Sequence, residues 1–75
     1  MKYKTVLSVL GDANLIMKVF EPEDKEINGK ATYTMNKTPE GVAFTVTAND
    51  STGLRTALNS ITKVLTVIEK TKGIN

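Results

Sequence analysis

The sequence contains no cysteine, no histidine and no tryptophan, and these absences exclude much chemistry. Without cysteine the chain can form neither a disulfide bond nor a thiolate metal site. Without histidine and cysteine it also lacks the side chain most used for proton transfer near neutral pH and the most nucleophilic one. We therefore predict a protein that is not an enzyme and that holds no cofactor and no metal ion.

Long apolar runs and phosphate-binding loops are absent as well. No stretch approaches the roughly 20 apolar residues of a membrane span, and the lysine-flanked start KYKTVLSVLGD alternates and ends too soon for a signal peptide. Neither a Walker-type loop nor a GxGxxG fingerprint is present. We expect a soluble, cytoplasmic protein with no membrane association and no small-molecule substrate.

Charge is plentiful but scattered. The formal net charge of the 75 residues is +2, and the lysines are spread along the chain, which is compatible with weak contact to RNA phosphates without demonstrating it. The carboxylates crowd one polar connection, EPEDKEINGK, and include Glu21, Glu23, Asp24 and Glu26. We interpret this connection as a solvated loop rather than as an acid-base pair or a metal site.

The first half of the chain predicts a strand followed by a short helix. Lys2 to Leu10 alternates in polarity over most of its length, which is typical of a strand. After Gly11, Asp12 can cap a helix from Ala13 to about Phe20 that Pro22 prevents from continuing.

Two alternating, β-branched runs follow the acidic connection. Lys30 to Lys37 and Val42 to Asn49 predict a hairpin whose strands are joined by a four-residue turn, Thr38 to Gly41. One side of this hairpin and of the first strand is apolar and should form the core. The opposite side carries little charge and leaves Val6 and Leu10 exposed beside Thr45 and Thr47, which makes it a candidate surface for self-association.

Residues 50–65, DSTGLRTALNSITKVL, predict an amphipathic helix whose outer side is nearly uncharged. Asp50 and Ser51 can cap its first turn. The inner stripe recurs at three- and four-residue steps and comprises Leu54, Ala57, Leu58, Ile61, Val64, Leu65 and Ile68. Between Arg55 and Glu69 the only charged residue is Lys63, and loss of charge marks the buried centre of protein interfaces. An idle, threonine-rich exposed face is the competing interpretation.

The order strand, helix, strand, strand, helix predicts a single α+β domain over residues 1–75. Its sheet is expected to be three-stranded and mainly antiparallel, with both helices packed on one face. A chain of this size buries only roughly 60% of its unfolded surface, so it should be marginal alone.

The second helix also resembles a known family. Its pattern D-x-x-x-L-R-x-x-L-N-S, carried here by Asp50, Leu54, Arg55, Leu58, Asn59 and Ser60, is similar to the signature of the Pcc-type subunit of the KEOPS complex, to whose family the human cancer-testis antigen relatives belong. The element order, the compact archaeal length and FEPED after the first helix agree. Gly53 departs from the alanine or serine that the family favours, at a cost on the order of 1 kcal/mol of helix stability.

The resemblance implies an assembly role. Pcc-type subunits form dimers, here a homodimer or a heterodimer with a paralogue, and dock through their helices on the catalytic ATPase-fold subunit, which makes threonylcarbamoyladenosine in tRNA. Weak contact with tRNA phosphates within the complex stays open. The residues we predict for docking are Arg55, Thr56, Asn59, Ser60, Lys63 and Val67 on the second helix and Leu15 and Val19 on the first.

The sequence leaves open the role of Arg55 and a rival function. Arg55 can offer its guanidinium to a partner carboxylate or a tRNA phosphate, or it can pair with Asp50 within the chain. A stand-alone, KH-like RNA-binding module is the rival function, although the glycines never form the GxxG loop that such a module needs.

Overall fold

The computed structural model describes residues 2–27 and 29–71. It contains four strands and two helices in these residues, with the following bounds: β1 Tyr3–Leu10, α1 Ala13–Phe20, β2 Glu26–Ile27, β3 Ala31–Thr38, β4 Gly41–Ala48 and α2 Ser51–Thr71. The predicted α+β class and the predicted order of the longer elements are confirmed. None of the helices in these residues is long and apolar enough to cross a membrane.

The strands form one antiparallel sheet in the order β1-β4-β3-β2. The predicted strand count of three was wrong, because Glu26 and Ile27 pair with Thr32 and Ala31 at the sheet edge. The chain turns back toward β3 where Gly29 adopts a φ of 68° and the Lys30 amide donates to the Ile27 carbonyl at 3.0 Å. A strand of two residues is too short to show an alternating pattern, so the sequence predicts a loop here.

The β3–β4 turn is tighter than predicted. Thr38 and Gly41 are paired strand residues, which leaves two turn residues, Pro39 and Glu40, rather than four. The Thr38 hydroxyl accepts a hydrogen bond from the Gly41 amide at 3.0 Å. A Cβ atom on Gly41 would lie 1.9 Å from the carbonyl oxygen of Val9, so only glycine allows β1 to approach β4 here.

Both helices pack against β3 and β4 on the same side of the sheet. Phe20 of α1 lies edge-on to Phe44 of β4, with ring centroids 4.8 Å apart, and both side chains are fully buried. Ala57 and Ile61 of α2 are also fully buried. Full burial of a phenylalanine or isoleucine side chain stabilises a fold by about 1.5–3 kcal/mol, so this layer holds the domain together.

Each helix is capped by the aspartate that precedes its first residue, as predicted. The Asp12 carboxylate accepts a hydrogen bond from the Leu15 amide at 3.2 Å, and the Asp50 carboxylate accepts one from the Gly53 amide at 2.7 Å. The end of α1 is held by Lys25, whose ammonium group donates to the backbone carbonyls of Phe20 and Glu23. Capping and the apolar stripes therefore fix where the outward sides of α1 and α2 lie.

Candidate protein-docking surfaces

The outward side of α2 is exposed over most of its length. Its predicted docking residues Arg55, Asn59, Ser60, Lys63 and Val67 are all exposed, whereas Thr56 is half-buried. Val67 keeps 56% of its surface in contact with solvent. We call the five exposed residues, together with the exposed Thr62 and Thr66 of the same stretch, the α2 outer face.

The threonines along α2 are less polar than their composition suggests. The hydroxyls of Thr56, Thr66 and Thr71 each donate to the backbone carbonyl four residues earlier, at 2.9 Å. The hydroxyl of Thr62 donates to the Asn59 carbonyl at 3.1 Å. Because these hydroxyl protons are directed at the helix backbone, the threonines of α2 offer methyl groups rather than free hydroxyl donors to a partner. The polar donors of the α2 outer face belong to Arg55, Asn59, Ser60 and Lys63.

The first helix adjoins only the C-terminal part of this face. Leu15 and Val19 of α1 line a shallow cleft of about 60 Å³ together with Val67, Ile68 and Thr71. Thr56 instead lines a separate depression beside Ile27 and Gly53, about 16 Å from Val67 along the helix axis. The predicted docking set therefore lies in one contiguous area, except for Thr56, which is turned toward β2.

The open face of the sheet has the composition that the alternation predicted. Val6 is 57% exposed and pairs with Thr45, while Thr47 pairs with Thr32 and their hydroxyl oxygens lie 3.2 Å apart. Leu10, the fourth residue predicted for self-association, lies at the end of β1 and also lines a groove beside Leu15. Only Val6, Thr45 and Thr47 thus form a compact patch, which we call the open sheet face.

A comparison with protein families identifies the chain. The model of the family described as transcription factor Pcc1 matches residues 10–72, more than four fifths of the chain. The chain belongs to the Pcc1 family. A search of curated proteins and a search of solved structures each gave no significant match. Membership of the Pcc1 family supports, in general terms, a role as a KEOPS-type subunit that interacts with other proteins.

The Pcc1-family match includes both helices and the whole signature of α2. Within that signature, Asp50 caps the helix and Leu54 and Leu58 are half-buried against the core, so the fold accounts for them. Arg55 and Asn59 are exposed one helical turn apart. The signature of this Pcc1-family chain thus divides into residues that build the helix and residues that the domain leaves facing outward.

The groups with acid-base chemistry do not converge in this Pcc1-family chain. Among the residues that the structure describes, no three histidine, cysteine, aspartate or glutamate side chains meet in a metal-binding arrangement. Tyr33 is buried in the core, and burial, followed by the charges of Glu23 and Asp24, raises the pKa of its phenol above the usual value. The phenol is therefore protonated at neutral pH, and its ring packs beside Phe20 and Phe44.

The groove beside Leu10 was not predicted. It is bounded by the end of β1, the first turns of α1 and the last turns of α2. The sequence predicts other roles for the groove residues: Asp12 is expected to cap a helix, and Leu65 and Ile68 are expected to face the core. The one available signal was Glu69, a carboxylate next to the inner stripe of α2.

Proposed function

We propose that this chain is a non-catalytic assembly and dimerisation subunit of a KEOPS complex. Its α2 outer face docks on the catalytic ATPase-fold subunit that makes threonylcarbamoyladenosine in tRNA, and its open sheet face pairs with a second copy or a paralogue. Membership of the Pcc1 family is the observation that carries this proposal.

The α2 outer face has the properties of an interface centre. Its charged residues are Arg55 and Lys63, it exposes Val67, and the hydroxyls of Thr62 and Thr66 are already bonded to the helix backbone. Docking there strips water from two charges and from no free threonine hydroxyl proton, so its desolvation cost is lower than on a helix face rich in glutamate and lysine. Arg55 and Asn59 add polar groups that can fix the orientation of the partner.

The open sheet face is a separate surface on the other side of the domain. Val6 lies on the edge strand β1, where Thr45 of β4 is its cross-strand partner and Lys4 and Ser8 flank it on the same side of β1. A subunit that both dimerises and docks needs two surfaces that can be occupied together. The helices cover one face of the sheet, so a copy bound to the opposite face leaves the α2 outer face free.

A stand-alone RNA-binding role is less well supported. Sequence-specific RNA-binding sheets stack bases on exposed aromatic side chains. In this sheet Tyr33 and Phe44 are buried under the helices and Tyr3 lies on the same covered side, while the open sheet face presents Val6 and threonines. The surface that would have to read bases therefore lacks the rings to do so.

Co-purification tests the docking proposal. Asn59→Glu with Val67→Glu places two carboxylates on the α2 outer face, and both positions are exposed, so the domain should stay folded by circular dichroism. We expect the double variant to lose co-purification with the catalytic subunit. Lys2→Glu is the matched control, because it changes the net charge by the same amount at the start of β1. Retained binding by the double variant would place the docking site elsewhere.

Light scattering tests the dimerisation proposal. Val6→Asp introduces a charge beside Thr45 on the open sheet face, where burial by a second copy would leave that charge unpaired. We expect the parent chain to be a dimer and the variant to dissociate at a higher concentration. The control Asn14→Asp adds the same charge on α1. A parent chain that is monomeric at high micromolar concentration would contradict the proposal.

A further inference from the structure

The groove at the end of β1 combines an apolar lining with acidic groups. It has a volume of about 290 Å³ and lies where β1, α1 and α2 meet. Its apolar lining includes Leu10, Leu15, Leu65 and Ile68, and the carboxylates that line it belong to Asp12 and Glu69. Leu10 is 72% exposed and extends the apolar surface to the outside of the groove.

The hairpin tip brings a further acidic residue to this end of the domain. The Gly11 amide donates to the backbone carbonyl of Glu40 at 2.9 Å, so Glu40 lies beside the segment that carries Asp12. One oxygen of Asp12 accepts from the Leu15 amide, which leaves the charge of the carboxylate in place. On the side of α1, the ammonium group of Lys37 donates to the Asn14 side chain at 3.0 Å.

The sign of the charge here is opposite to that of the chain as a whole. The full sequence has a net charge of +2, yet the side chains lining the groove contribute two carboxylates and no cation. Anionic ligands such as RNA phosphates or acidic lipid headgroups would be repelled by this lining. Lysine and arginine side chains, in contrast, have an apolar stem and a cationic end, which match an apolar groove with an acidic rim.

We propose that this groove binds a protein segment that presents an aliphatic side chain next to a lysine or arginine. The aliphatic side chain packs between Leu15, Leu65 and Ile68, and the cationic group contacts the carboxylates of Asp12 and Glu69. The groove is distinct from the α2 outer face, although it shares Leu15 with the predicted docking residues and Leu10 with the predicted self-association residues.

Two peptides of opposite charge distinguish this proposal from nonspecific attraction. The probes are acetyl-Leu-Arg-Arg-Leu-amide and acetyl-Leu-Glu-Glu-Leu-amide, titrated into the isotopically labelled full chain by NMR. We expect the arginine peptide to shift the methyl signals of Leu10, Leu15, Leu65 and Ile68, and the glutamate peptide to bind more weakly. The net charge of the chain alone would favour the glutamate peptide, so the expected preference reports the local charge of the groove.

Charge removal at the groove gives the quantitative test. Asp12→Asn with Glu69→Gln should weaken binding of the arginine peptide by about fivefold, as loss of two partly exposed ion pairs predicts. Asparagine caps helices as well as aspartate does, so α1 should remain intact. The matched control is Glu21→Gln with Glu26→Gln, which changes the net charge equally at exposed positions in the acidic connection and should leave binding unchanged.

Several results would overturn the proposal. These are equal binding of the two peptides, shifts confined to other surfaces, no shifts at millimolar peptide, or equal weakening by the control pair. An RNA oligonucleotide that shifts the same methyl signals would also contradict it. The Asn59→Glu, Val67→Glu variant should bind the arginine peptide normally, so failure of the proposed docking function and failure of the groove proposal can be told apart.

Discussion

The two sides of α2 differ in how completely the domain uses them. On the inner side Ala57 and Ile61 have no exposed surface, and the stripe between them and Ile68 packs on the sheet and α1. On the outer side Asn59, Lys63 and Val67 are exposed along the same turns of helix. Burial in the core explains the inner residues. The outer residues, Val67 among them, remain available for contact with a partner.

The sheet repeats this division. Its covered side holds Tyr33, Phe44 and Val46, all buried, while its open side exposes Val6 opposite Thr45. A solvated surface normally carries many charged residues, because glutamate and lysine are cheap to leave in water and favour solubility. Low charge on both outward sides is consistent with the proposal that they contact other proteins. The covered sides, whose residues are explained by folding, are the reference against which that proposal can be tested.

The largest expected contrast is in stability. Ile61→Ala removes a fully buried side chain and should lower the free energy of unfolding by about 2–5 kcal/mol, the range for such cavities. Val67→Ala on the outer side of the same helix should change it by less than about 0.5 kcal/mol. Urea denaturation followed by circular dichroism measures both. A large loss for Val67→Ala would mean that this residue serves the fold rather than a partner.

The covered and outward sides could be predicted from sequence because each depends on local periodicity. Asp12 and Asp50 mark the helix starts, and three- and four-residue spacing assigns Ile61 and Ile68 to the core. The strand at Glu26 could not be predicted, since two residues carry no period and their pairing depends on the turn that follows them. The alternation around Thr38 is likewise compatible with either turn length.

The groove could not be predicted for a different reason. Leu10, Leu15 and Leu65 are brought together only by the packing of β1, α1 and α2, and Leu65 is fifty positions away from Leu15 in the sequence. Periodicity shows which side of each element is apolar but not how closely neighbouring elements approach. A cleft left between them is therefore a property of tertiary packing.

A smaller effect on the covered side should appear at alkaline pH. Burial and the charges of Glu23 and Asp24 raise the pKa of Tyr33 in the folded state, so folding favours the protonated phenol. The stability from this preference is fully present below the unfolded pKa of about 10 and is lost as the pH rises through the higher folded value.

Replacement of Tyr33 isolates this contribution. Tyr33→Phe should flatten the fall of unfolding free energy with pH above about 10, measured by urea denaturation at a series of pH values. Glu23→Gln should reduce the steepness less, because burial is the main cause of the pKa shift. The same alkaline dependence in Tyr33→Phe and the parent chain would show that other groups cause it.

The smallest expected effect concerns Gly53 in the first turn of α2. Its amide donates to the capping Asp50 carboxylate, and the residue is buried. On an exposed helix, glycine to alanine stabilises by about 1 kcal/mol. A Cβ atom at position 53, however, would lie 3.1 Å from the Asp50 carboxylate, 3.2 Å from Cβ of Lys30 and 3.3 Å from the Lys30 carbonyl oxygen. These contacts are tight and include backbone, so the gain in helix propensity should be offset by the displacement of β3 or of the cap.

We therefore expect Gly53→Ala to change the free energy of unfolding by less than about 0.5 kcal/mol, and Ser60→Ala, on the exposed side of α2, to increase it by a few tenths of a kcal/mol through helix propensity. Thermal and urea denaturation of the two variants in parallel measure the difference. A gain of about 1 kcal/mol in Gly53→Ala would mean that Lys30 moves aside at no cost. Glycine at position 53 would then have no steric explanation. A neutral result would show that the close contacts with Asp50 and Lys30 offset the gain in helix propensity.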